Sequence, residues 1–203
     1  MTEVIIISEA GLQRRMRVEA GQRTDMVLVV MPGISCDIAL DVTLAGEGAQ
    51  ANIYGAYICG ADERVKIAVD MHHDVPHCNS RQLFKGVAGG SSRVDFYGKI
   101  IVAQDAQRTE AYQENHNILL SDDARVDTKP QLEIYADDVK CSHGATIGRL
   151  NEEEQFYMRS RGITLEDAKV LQMISFLAPV LEAVPESERE DVALKLEAAI
   201  RKL

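Results

Sequence analysis

The chain has 203 residues, 46% apolar and 27% charged, the composition of an ordinary globular protein with room for one main core and a small appendage. Its net charge of −10, without any run of Lys or Arg, excludes a nucleic-acid surface. No stretch approaches the roughly 20 uninterrupted apolar residues of a membrane span, and Met1-Thr2-Glu3-Val4 lacks the basic flank of a signal peptide, so a cytoplasmic protein with neither nucleic-acid nor membrane partners is expected.

From about Val4 to Thr146, short β-rich runs alternate with turn residues. The runs are Val27–Val30, Ile38–Leu44, Asn52–Tyr54, Val65–Val69, Arg93–Tyr97, Ile100–Val102 and Gln131–Ile134. Between them stand Gly46-Glu47-Gly48, Gly60–Glu63, Gly89–Ser92, Gln104-Asp105-Ala106, Ser121–Ala124 and Asp137-Asp138, which is turn chemistry at strand-length intervals. Four triplets, Ser92-Arg93-Val94, Gln107-Arg108-Thr109, Ala124-Arg125-Val126 and Asp138-Val139-Lys140, recur as turn-to-strand transitions every 14 to 17 residues. Such a loose repeat fits stacked coils, and a Greek-key sandwich is the competing all-β arrangement. The polar run Gln113-Glu114-Asn115-His116-Asn117 favours the solenoid.

After Asn151 the period becomes helical. A first helix is predicted from Glu152 to Arg161, stopped by Gly162 as a C′ residue. Thr164-Leu165-Glu166-Asp167 reads as a capping box opening a second helix, which Pro179 should kink. Ser187-Glu188-Arg189-Glu190 reads as the box of a third, packed on the second as a hairpin. The division is therefore a β domain over 1–150 and a helical region over 151–203.

The four cysteines (Cys36, Cys59, Cys78, Cys141) form no CxxC pair and read as reduced thiols. Cys141 and His143 are two apart, so on a strand both project from one face, about 7 Å apart along the chain. A thiolate and an imidazole suit iron or an iron–sulfur fragment, but two ligands leave a coordination sphere unfilled. Met71–Cys78 holds three imidazoles and a thiol, which makes His73, His77 and Cys78 weak metal candidates; His72 and His73 must point to opposite faces of a strand, and Pro76 breaks the geometry before His77. Ser91 or Ser92 with His116 and Asp123 supply the residue types of a hydrolytic triad but no nucleophile elbow. The glycine pairs Gly46/Gly48 and Gly89/Gly90 lack the Lys-Ser/Thr of a phosphate loop, so the chain itself is not expected to bind ATP.

The run Gly98–Gln113, followed by Asn117–Ser121, Asp127–Ile134, Asp137–Gly148 and Phe156–Ile163, resembles the core and C-terminal signature of the SufB/SufD family of iron–sulfur cluster assembly proteins, in its SufD branch. The likeness runs from about Gly33 to Phe176, and His73, Pro76, Ser80 and Gly86 also resemble a structural pattern of the family. It implies a right-handed parallel β-helix capped by C-terminal helices, partnered by a SufB-like protein and by the ABC-type ATPase SufC. It also implies that His143 lies at a cluster-forming subunit interface, where Cys141, on the same strand face, would accompany it. The same likeness makes 151–203 the ATPase-docking region, with Phe156, Tyr157, Ile163, Met173 and Phe176 as its apolar face. Two departures stand out: the chain reaches strand-like sequence almost at once, where family members carry a long N-terminal region, and it has Ala124 and Gly144 where the SufB branch has a cysteine and a glutamate.

The expectation is thus a SufD-like assembly subunit without catalytic activity of its own. No stably bound cofactor is expected; iron or an iron–sulfur cluster would pass transiently through a subunit interface. A homodimeric scaffold pairing with a second copy of itself is the alternative. A carbohydrate-active β-helix is disfavoured by 5% aromatics and no tryptophan.

Overall fold

A computed structural model of the chain describes residues 2–7 and 10–203. The strands in chain order are β1 (Thr2–Ile7), β2 (Gly11–Val18), β3 (Arg23–Val30), β4 (Cys36–Leu44), β5 (Gln50–Cys59), β6 (Arg64–His73), β7 (Asn79–Ala88), β8 (Arg93–Val102), β9 (Thr109–Leu119), β10 (Arg125–Ile134) and β11 (Val139–Gly148). Odd strands form one sheet, in the order β1-β3-β5-β7-β9-β11, and even strands a second, β10-β8-β6-β4-β2, every pairing parallel. The chain is a β-solenoid of about five turns, alternating between the two sheets.

The loose repeat marks half-coils. Its four triplets open β8, β9, β10 and β11 in turn, and with Arg93 paired to Arg64 and Val139 to Thr109, about 30 residues complete one coil. Strand alternation sends every second residue inward, where Ile38, Ile67, Phe96 and Thr128 stack in one column and Met26, Ile53, Gln82, Gln113 and His143 in the facing sheet. The interior is aliphatic in the early coils and polar in the late ones. Asn115 Nδ2 donates to Tyr57 Oη (3.0 Å), Tyr57 Oη to Asn117 Oδ1, and Asn117 Nδ2 to Asn115 Oδ1 (2.8 Å). Gly86 leaves the space that the Tyr57 ring fills; a Cβ there would stand 1.8 Å from Tyr57 Cε2.

The predicted strands at Arg93–Tyr97 and Ile100–Val102 are one strand, continuous through Gly98, whose missing side chain makes room for the Gln113 amide. β2 and β7 coincide with none of the predicted runs. In β7, Gln82 lies inside and Leu83 outside, reversing the usual apolar alternation.

Three helices follow: α1 (Glu152–Ser160), α2 (Leu165–Leu181) and α3 (Glu186–Ile200). Asn151 Oδ1 caps α1, Gly162 (φ +89°) ends it, and Thr164 Oγ1 accepts from Asp167 N at the start of α2. The expected box at Ser187 is not formed. α3 opens two residues earlier, at Glu186 with Pro185 in the N-cap position and no side-chain cap; Arg189 instead donates to the carbonyls of Glu182 and Val184 that end the preceding segment.

The helices do not cap the solenoid end as the resemblance implied. α2 packs on β5 and β7, against the outer face of the odd sheet. That face is apolar over Val27, Val29, Ala56, Ile58, Leu83 and Val87, and burying it against Val170, Met173, Leu177 and Leu196 forms a second core. The β10/β11 end keeps Ile134 and Ile147 39% and 46% exposed.

Candidate functional site at the terminal coil

β11 is the free edge of the odd sheet and β10 of the even sheet, so both carry an unpaired backbone edge at the same end of the solenoid. β11 sits in register on β9, with Cys141 on Ala111, His143 on Gln113, Ala145 on Asn115 and Ile147 on Asn117. These residues share the inward columns, facing Val126, Thr128, Pro130 and Leu132 of β10 across the mouth. Cys141 and His143 therefore do project from one strand face, at the open end of the interior.

Their surroundings differ. His143 is exposed, whereas Cys141 is half-buried, and burial pushes its thiol up from the usual range, only partly offset by a hydrogen bond from the Ala111 backbone. At neutral pH Cys141 carries its proton. It becomes a soft ligand only when a metal or a partner's cation drives the proton off.

The two edges are not equally open. Each edge carries one ion-paired lysine, Lys129 to Asp127 and Lys140 to Glu110, both at 2.8 Å; β10 alone carries a proline, Pro130, which offers no N–H and is tolerated in a strand where its nitrogen faces the free side. β11 has no proline over its ten residues, and His143 stands at its centre.

The other candidates are distributed elsewhere. His73 is fully buried inside β6, its Nε2 2.8 Å from Ser80 Oγ, and burial lowers its pKa to about 4. His77, at φ +59°, lies outside with Nε2 3.8 Å from Glu47. Cys78 is buried with Sγ on the Gly46 carbonyl (3.4 Å). The three do not converge, and among the described residues no group of three or more His, Cys, Asp or Glu could hold a metal ion. Ser92 Oγ is bound to the Gly89 carbonyl and His116 Nδ1 to Thr146 Oγ1 (2.8 Å), so no triad is assembled.

Of the apolar residues in the helical region, Phe156 and Tyr157 are 72% and 59% exposed on α1, Ile163 is half-buried, and Phe176 is half-buried under the Lys85 ammonium, 4.4 Å from its ring centre. Met173 is buried in the core between α2 and the sheet. α1 leans on α2, with Gln172 Nε2 donating to the Asn151 carbonyl and to Glu154, and it is flanked by hollows of about 880 and 740 Å³. In the sequence Gln113 stands out only as part of a polar run, and Gln82 and Tyr57 not at all. The signal was present in Gln113-x-Asn115-x-Asn117, three amides on one strand face one coil before His143 and Ile147.

A family model described as SUF system FeS cluster assembly, SufBD core domain, matches residues 11–176. The chain is 51% identical over 114 residues to the iron–sulfur cluster assembly protein SufD of Escherichia coli, covering 56% of this chain and 27% of that protein. It is 46% identical over 110 residues to an iron–sulfur cluster assembly SufBD family protein of Synechocystis, covering 54% and 24%. A SufBD family protein of Mycobacterium leprae is 31% identical over 185 residues, 86% of this chain and 47% of the relative. The chain thus spans between about a quarter and about half of the length of these relatives.

Proposed function

This chain belongs to the SufBD core family of the SUF iron–sulfur cluster assembly system, and from that premise we propose that it is a SufD-like subunit that pairs with a SufB-like protein through β11 and docks a SufC-type ABC ATPase through its helices. The observation that carries the reading is the placement of Cys141 and His143 together on the inward face of an edge strand that has no proline to interrupt it, as Pro130 interrupts β10. A partner strand added to β11 would satisfy its free backbone groups. It would also bring that partner's side chains over the mouth where His143 lies.

Iron and sulfur are cargo at this interface. His143 offers a nitrogen and Cys141, once deprotonated, a sulfur, and the partner supplies the remaining ligands. The chain contributes two soft donors and a frame, with no catalytic group of its own. The exposed Phe156 and Tyr157 on α1 form an apolar contact for the ATPase, whose nucleotide cycle would open and close the β11 interface through the rigid solenoid.

Co-expression with a SufB-like protein and a SufC-type ATPase under reducing conditions tests this reading. A stable stoichiometric complex is expected, and failure of all three to co-purify would overturn it. A dimer of this chain alone that refuses the SufB-like protein would instead support the self-paired scaffold.

A further inference from the structure

Gln82 and Gln113 stack inside the late coils, 0% and 1% exposed, and Gln113 Nε2 donates to Gln82 Oε1 at 2.9 Å. This bond commits one half of each amide and leaves Gln113 Oε1 and, at the other end, Gln82 Nε2 buried without a hydrogen-bond partner. The nitrogen and oxygen of an amide diverge, so with Nε2 turned to β7, Oε1 is turned to the other neighbour of β9, which is β11. His143 occupies that rung in register with Gln113. The amide cannot swing away to the facing sheet, because it lies against Gly98 so closely that a Cβ there would be 2.4 Å from Nε2.

We propose that Gln113, anchored by Gln82, is a positioning residue for His143: its Oε1 accepts the N–H of one ring nitrogen and so keeps the other nitrogen bare and directed out of the mouth. A neutral imidazole carries one N–H and one lone pair, and the partner of the N–H decides which nitrogen is free to bind a metal. A buried acceptor without a donor is costly, which gives the imidazole a single preferred setting. The resulting Gln82–Gln113–His143 chain carries tautomer selection from two coils below up to the edge strand. Its use in metal capture rests on the assembly role proposed above; the tautomer does not.

The experiment is therefore made on the full chain alone, without iron or partners. In ¹⁵N-histidine-labelled protein at pH 8, His143 is assigned by the signal lost in His143→Gln. The wild type should show one protonated and one bare ring nitrogen with widely separated resonances. In Gln113→Leu, and in Gln82→Leu, which removes the anchor, the two resonances should draw together toward the average of a freely exchanging imidazole. The His73 signal, held by Ser80, should stay fixed and reports that the interior is intact. An averaged wild-type signal overturns the proposal whether or not the variants fold, as does a separation unchanged in variants whose His73 signal is intact. Either result leaves the co-purification test untouched, so the two readings fail separately.

Discussion

Arg14 Nη2 lies 2.6 Å from Glu3 Oε1, and both side chains stand in the inward columns of the first coil, Arg14 in register with Leu40 and Glu3 with Met26. A charged pair across this mouth would be desolvated by any coil stacked directly upon it. The opposite mouth presents Ala145, His143 and Ile147.

Placing a charge at that opposite mouth should therefore block partner pairing. Ala145→Lys puts an ammonium in the inward column of β11 at an exposed site, with little to disturb in the isolated chain. Affinity for a SufB-like partner, measured by calorimetry, should fall at least about tenfold, while the melting temperature moves by only a few degrees. Unchanged affinity would mean that pairing does not use β11.

Stability should depend on pH through His73. Burial lowers its folded-state pKa to about 4 from the ordinary 6.5, so the native state holds the ring neutral while the unfolded chain protonates it. The unfolded state therefore binds more protons below pH 6.5, and stability is complete above that value and declines as pH falls toward 4. The loss on that path reaches about 3 kcal/mol. Urea midpoints between pH 7.5 and 4 should show this slope in the wild type and a shallower one in His73→Gln. The His73→Gln chain should also be less stable at neutral pH if its amide cannot replace the bond to Ser80 Oγ.

Two glycines should respond oppositely to added side chains. At Gly86 a Cβ would meet Tyr57 at 1.8 Å, inside a ring that is fixed by Asn115 and Asn117, so Gly86→Ala should cost about 3 kcal/mol or prevent folding. At Gly144 nothing lies within 4 Å of the added Cβ. Gly144→Glu, which restores the residue type of the SufB branch, should change stability by less than about 1 kcal/mol in thermal melts. Gly144 is thus free to vary for chemistry rather than held by packing.

Much of this architecture was legible because turns and alternation are local. The triplets before β8 to β11 marked strand starts correctly, since each combines a turn residue with the first extended positions. β7 was missed because its outward Leu83 is buried by α2 and its inward Gln82 by Gln113, and both partners come from distant sequence. That Cys141 and His143 share one strand face followed from their spacing; that His143 caps a polar column while Cys141 rests on Ala111 needed the coil length, which local pattern does not contain. The flank position of the helices was equally invisible, because it depends on the summed outer face of β3, β5 and β7 rather than on any one run. His73, His77 and Cys78 formed a cluster only along the chain: alternation and the turn at Pro76 send one inward to Ser80, one outward to Glu47 and one onto a backbone carbonyl.

The residues named for ATPase docking should separate into two classes. Phe156 and Tyr157 project from α1 with most of their surface in water, so replacing both by Ser removes apolar contact area from the outside of the fold and little from within. Binding to a SufC-type ATPase should weaken at least about tenfold, with the melting temperature nearly unchanged. Met173 is only 4% exposed and packs in the core joining α2 to the odd sheet, so Met173→Ala should cost about 2–5 kcal/mol and loosen the whole helical layer. ATPase binding would be lost there too, but together with helical circular dichroism at a lower temperature. A Phe156/Tyr157 double variant that binds normally would move the docking face off α1.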